Sequence, residues 1–161
     1  MNNVTPKYDI LAKMVAEFEG FKTHAYKDTG GIWTIGIGST YNYNLKRKVQ
    51  EGDVITLQDA INWSQFEFSE VVRQANHYIT KPLTWNQATA ICDMIYNRGI
   101  GNFLKTRLDE LINSDPENPE VLKEIIGTGL RDRLGNLLNG LIRRRKSEAY
   151  LYQTGLLKFK F

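Results

Sequence analysis

The stretch EGFKTHAYKDTGGIWTIGIGS occupies residues 19–39. Before it, Ile10, Leu11, Met14, Val15 and Phe18 recur at helical spacing behind the start signal Thr5-Pro6, so Gly20 ends an amphipathic helix and Glu19 stands at its carboxyl end. After Gly20 the composition turns to Tyr, Trp, Ile and Thr as far as residue 43, interrupted by Asp28-Thr29-Gly30-Gly31, a hairpin turn. A small antiparallel sheet therefore follows the first helix. Regular strand alternation puts Thr34, Gly36 and Gly38 on one face and Trp33, Ile35 and Ile37 on the other. The first face offers a hydroxyl and two bare backbone positions. It leaves either room for a bulky ligand or a place for a bulge or a closely packed helix.

Outward from that stretch, residues 44–53 (NLKRKVQEGD) read as a loop or edge strand. From Ile55 onward the pattern is helical. Thr56 caps a helix to about Tyr78, Lys81-Pro82 breaks it, and Thr84 caps the next, which Gly99 and Gly101 end. Shorter helices are expected near 103–113, 118–126 and 130–138, and a last one near 141–153, with SDPENP as a turn. The fold class is α+β, a single domain over 1–161 with a sheet lobe at about 21–56 and a helical lobe at about 57–161 that includes the N-terminal helix.

Composition narrows the function classes. The 161 residues suit one domain with a sizeable core, and 42% hydrophobic with 24% charged residues is ordinary for a globular chain. Net charge is +3, which permits an anionic partner without requiring one. The single cysteine, Cys92, lies in the apolar run AICDMIY and reads as core; one cysteine forms no internal disulfide. MNNVTPKYDI lacks a basic segment followed by an apolar one, and no run approaches about 18 apolar residues, so neither a secretory signal nor a membrane span is expected. His24 and His77 are far apart with no ligand-like neighbours, so no metal or cofactor is expected. Arg143, Arg144, Arg145 and Lys146 read as the solvated face of a helix.

Two carboxylates around a bare surface fit acid–base chemistry on a glycosidic bond, where one acid donates a proton and the other activates water or attacks. Glu19, at the negative end of a helix and beside Phe18 and Phe21, is placed to keep its proton. Asp28, in a polar turn, is placed to remain ionised, and Thr34 is placed to hold a water. The context in which EGF, YKDTGG and TIGIG stand resembles phage-type lysozymes, the endolysin muramidases of glycoside hydrolase family 24. LTWNQATAICDMIYNRGIGNF resembles that family's central helix, and GLIRRRKSEAYLYQTG its carboxyl-terminal helix.

The resemblance implies a two-lobed lysozyme-like fold with a glycan cleft. It also implies hydrolysis of the β-1,4 bond between N-acetylmuramic acid and N-acetylglucosamine in peptidoglycan. Glu19 then matches the general acid, Asp28 the carboxylate that handles water and Thr34 the hydroxyl beside it. Arg144 matches a cleft arginine near the acid; Gly38, Thr40, Tyr96 and Thr106 fall where the family contacts the glycan. The family writes a histidine after TIGIG, paired with an acid on the next helix; here Ser39 stands there and Glu67 matches the acid, so a hydrogen bond at most replaces the ion pair. An endolysin of this kind is expected to be a monomer made in the host cytoplasm, without stable membrane insertion, and to reach the wall through a holin-like protein. Two rivals use the same residues. One is a catalytically inactive lysozyme-fold domain that binds peptidoglycan, which the intact Glu19 and Asp28 oppose. The other is a basic helical nucleic-acid binder, in which the glycine-spaced sheet has no use.

Overall fold

The structure is a computed structural model and describes residues 2–132 and 134–161. The chain forms two compact units, one of Ala12–Glu67 and one of Phe68–Phe161 with the chain up to Leu11. The α+β class read from the sequence is the class observed, with small antiparallel sheets after the first helix and helices thereafter.

Helix α1 (Tyr8–Glu19) starts three residues after Thr5, its first turn closed by Leu11 N donating to Lys7 O at 2.9 Å. It stops at Gly20, whose φ of +73° suits a residue without a Cβ. Strands β1 (Lys22–Lys27) and β2 (Trp33–Gly36) pair antiparallel around the Asp28–Gly31 turn, in the register Tyr26 with Thr34 and Lys27 with Trp33. An irregularity between Lys22 and Tyr26 breaks the regular pairing. Residues 44–53, read as a loop or edge strand, supply one strand of a second small sheet, β3 (Tyr41–Asn42) with β4 (Arg47–Lys48).

The strand alternation expected through Gly38 does not hold. Strand β2 ends at Gly36, whose φ is +67°, and Gly38 has φ +87°. The backbone turns back between them, with Ile35 N donating to Ser39 O and Ser39 N to Ile35 O, both at 2.9 Å. Thr34, Gly36 and Gly38 therefore do not share a face. A Cβ on Gly36 would lie 3.2 Å from Ile55 Cδ1 and 3.4 Å from Ala60 Cβ, so this glycine serves close helix packing and is no bare ligand surface.

Helix α2 (Leu57–Tyr78) begins where the sequence placed it. Thr56 N donates to Asp59 Oδ2 at 2.9 Å and Asp59 N to Thr56 Oγ1 at 3.0 Å, a reciprocal cap that satisfies two donors. Helix α3 (Trp85–Arg98) is buried on all sides from Gln87 to Ile95, the signature of a central helix. Short helices α4 (Ile100–Phe103), α5 (Leu108–Ser114) and α6 (Pro119–Gly127) follow, then α7 (Asn139–Thr154). The helix expected near 130–138 is absent among the described residues; Arg133 of that span lies outside them. Asp132 Oδ1 instead accepts from Leu134 N and Asn136 N at 2.8 and 2.9 Å, and Arg131 bridges Leu137 as in a hairpin. Among the described residues, no helix is long and apolar enough to cross a membrane.

Candidate functional site

Glu19, Asp28, Thr34, Gly38 and Thr40 all lie in the unit Ala12–Glu67. Glu19 is the last residue of α1 and half-buried. Beside it, a Cβ built on Gly38 would stand 3.6 Å from Glu19 Cγ and 3.7 Å from Glu19 Oε2. The acid thus rests against a turn that carries no side chain at its point of contact.

Asp28 is held by the turn it makes. Its Oδ1 accepts from Gly30 N at 2.8 Å and Ile32 N at 2.9 Å, while its own N–H donates to Ile32 O at 3.0 Å. This local bonding explains why an aspartate stands at the turn. Oδ2 makes no hydrogen bond among the described residues, which leaves one carboxylate oxygen to face outward. Thr34 is 3% exposed, and its hydroxyl donates to Ile32 O at 3.0 Å. A hydroxyl has one proton, so toward any further group Thr34 Oγ1 is an acceptor. A water set between Asp28 Oδ2 and Thr34 Oγ1 would find two acceptors, one for each of its hydrogens.

Tyr26 links these groups and was not singled out by the sequence reading. It is the cross-strand partner of Thr34. Burial pushes its phenol above its ordinary value, and the charges of Glu19 and then Asp28 push it further. Both carboxylates therefore act on one hydroxyl. Two sequence cues pointed there: Tyr26 lies two positions before Asp28 in a strand, and a tyrosine carries a polar tip on an apolar ring.

Ser39, in the place of the family's histidine, donates its hydroxyl to Tyr41 O at 2.9 Å. Glu67 instead hydrogen-bonds the Tyr43 phenol, which burial first and the Glu67 charge second push above the ordinary value. The acid expected to serve position 39 is thus engaged by a tyrosine. Thr40 is exposed.

Tyr96, Thr106 and Arg144 lie in the other unit. Tyr96, on α3, is half-buried and meets Phe68 edge-on at 5.5 Å. Thr106 donates to Phe103 O at 2.7 Å and accepts from Leu108 N at 3.2 Å, so its hydroxyl binds the first turn of α5. The basic run at 143–146 is not one solvated face: Arg144 and Arg145 are 2% and 0% exposed. Arg144 Nε and Nη2 donate to the two oxygens of Asp93 at 2.8 and 2.9 Å. Arg145 Nη2 donates to Glu148 at 2.7 Å and to Asn97 at 2.8 Å. The physical reason is that positions 144, 145 and 148 of α7 share the side packed on α3, where buried acids replace water as partners. The Arg144 guanidinium overcomes the cost of burial and holds Asp93 below the usual carboxylate range, whereas burial pushes Glu148 well above it.

The family model described as phage lysozyme matches residues 16–148, a span that includes every one of these positions. An endolysin from Acyrthosiphon pisum secondary endosymbiont phage 1 is 32% identical over 146 residues, covering 88% of this chain and 93% of that relative. Among solved structures, the endolysin from Escherichia coli O157:H7 phage FAHEc1 is similar with a TM-score of 0.83 at 25% identity, over 92% of this chain and 93% of that one. The muramidase domain of SpmX from Asticaccaulis excentricus has a TM-score of 0.79 at 27% identity, over 93% of this chain and 99% of that one. By the extent of the family match and the coverage of its relatives, this chain belongs to the phage lysozyme family.

Proposed function

We propose that Glu19, Asp28 and Thr34 carry out the chemistry of a muramidase on the β-1,4 bond between N-acetylmuramic acid and N-acetylglucosamine, with inversion. Family membership makes the chain a lysozyme-type glycoside hydrolase acting in peptidoglycan lysis. The observation that carries the residue roles is that Glu19 and Asp28 both act on Tyr26, the cross-strand partner of Thr34. Glu19 gives its proton to the glycosidic oxygen as the bond to the anomeric carbon breaks. A water donates one hydrogen to Asp28 Oδ2 and the other to Thr34 Oγ1, and its oxygen attacks the anomeric carbon from the opposite face. Asp28 takes the proton that the water loses. Thr34 supports inversion, because its buried hydroxyl orients water and no second carboxylate stands in its place.

In this reading Gly38, Thr40, Tyr96, Thr106 and Arg144 contact the glycan or hold those that do. The enzyme works as a monomer, made in the host cytoplasm and released to the wall by a holin-like protein. The endolysin relative supports that setting.

The test joins kinetics to product analysis on outer-membrane-permeabilised cells. Glu19→Gln keeps the shape of the side chain and removes the proton, so release of reducing ends should fall by about 10²–10⁴-fold while the variant still sediments with purified peptidoglycan. Proton NMR read before mutarotation should show the α-anomer first. A folded Glu19→Gln that keeps more than about a tenth of wild-type release contradicts the acid role. Early β-anomer makes Asp28 a nucleophile.

A further inference from the structure

We propose that Tyr26 is a positioning residue for the acid: its hydroxyl hydrogen-bonds one carboxyl oxygen of Glu19, so that the other oxygen presents the proton to the glycosidic oxygen. The inference rests on the lysozyme reading above and deepens it.

The placement follows from the sheet. Tyr26 and Thr34 are direct cross-strand partners, so their side chains leave the same face with Cβ atoms about 4.5–5.5 Å apart. Tyr26 is half-buried, yet among the described residues no group donates to or accepts from its hydroxyl. A phenol beside two carboxylates with no partner is a donor kept available, since partly buried polar tips otherwise find partners.

The choice of Glu19 over Asp28 comes from what each carboxylate already does. Asp28 Oδ1 is occupied by two backbone N–H groups, and its Oδ2 is the oxygen proposed for water. Glu19 exerts the larger of the two effects on Tyr26. On another side of Glu19 lies Gly38, whose lack of a Cβ leaves the carboxyl without a side chain against it there. The groups facing the Tyr26 hydroxyl are thus Glu19, Asp28 and the Thr34 hydroxyl. Burial and the two negative charges keep the phenol protonated, so it remains a donor through the working range. A general acid must offer its proton along one direction, and a donor on its second oxygen selects that direction.

Tyr26→Phe removes the hydroxyl and keeps the ring. On a soluble peptidoglycan oligosaccharide, kcat should fall by about 10–100-fold, the range of a hydrogen bond to a charged group, with KM within about twofold. The alkaline limb of the pH profile should move upward, because losing a donor to the ionised form lets the acid keep its proton to higher pH. The thermal midpoint should not fall. Tyr26→Leu, which removes ring and hydroxyl, should lose as much kcat as Tyr26→Phe. Unchanged kcat and alkaline limb in Tyr26→Phe, a loss confined to KM, or a kcat loss seen only in Tyr26→Leu overturns the assignment. Wild-type protein that releases no reducing ends overturns the lysozyme reading as well. An active wild type with an unaffected Tyr26→Phe overturns the Tyr26 role alone.

Discussion

Gly36 and Gly38 look alike in the sequence and do different work. Both have positive φ, +67° and +87°, where a residue with a Cβ is strained by about 1–3 kcal/mol. At Gly36 a Cβ would also press on Ile55 and Ala60, whereas at Gly38 it would make ordinary contacts with Glu19. Gly36→Ala should therefore lower stability more than Gly38→Ala. Gly38→Ala should stay nearer wild type in stability but lose more activity per folded molecule, because its methyl group meets the acid. Urea unfolding and reducing-end release, measured on both variants, separate the two. A Gly38→Ala variant of full specific activity would detach this turn from the site.

Among the elements, the β3–β4 hairpin depends on one carboxylate. Asp53 accepts from Arg47 Nη1 and Nη2 at 2.9 and 2.7 Å, from Asn42 at 3.1 Å and from Gln50 N at 3.1 Å. The hydrogen bonds from Arg47, against the cost of burial, hold its carboxyl down at about 2. A depressed value means that the folded state prefers the ionised form. The stability is present above the unfolded carboxyl value of about 3.9 and is lost as pH falls from there through the folded one. Arg47 is 35% exposed, so solvent screens the pair and the expected loss in Asp53→Asn is modest, about 1–2 kcal/mol at pH 7. Urea unfolding at pH 7 and near pH 2 checks it: the gap between variant and wild type should shrink at the lower pH.

At the scale of the whole molecule, the helical unit encloses charge in its core. Asp93 on α3 meets Arg144 on α7, and Glu148 meets Arg145, all 3% exposed or less at the side chain. Arg145 Nε and Nη1 have no hydrogen-bond partner. Burial raises Glu148, Arg145 opposes that, and the Asp93 charge adds to it. A raised carboxyl favours folding while protonated, so stability falls as pH rises from the unfolded carboxyl value through Glu148's own higher one. Glu148→Gln should flatten that slope and remain within about 1 kcal/mol of wild type at pH 7. Glu148→Ala removes an acceptor from buried Arg145 and should cost about 3–5 kcal/mol. Equal losses in both variants, read from urea midpoints, would show that the charge of Glu148 is needed.

Local signals were enough for part of this protein. The end of α1 at Gly20, the Asp28–Gly31 turn, the Thr56 and Thr84 helix starts and the α+β class all follow from patterns a few residues long. The same patterns put Glu19 at a helix end and Asp28 in a turn, because neighbouring backbone groups alone define those settings. The helix expected near 130–138 shows how such signals fail: Asp132 and Gly135 favoured a turn that apolar spacing did not reveal.

Tertiary structure decided the rest. Side-chain alternation carries information only along an unbroken strand, and here the strand ends at Gly36 while its partner is irregular between Lys22 and Tyr26. The register that sets Tyr26 against Thr34 was therefore hidden. The burial of Arg144 and Arg145 was hidden for a related reason. Charge patterning cannot distinguish a guanidinium bound for water from one bound for an acid 51 residues earlier in the chain, and only the packing of α7 on α3 brings Asp93 to Arg144.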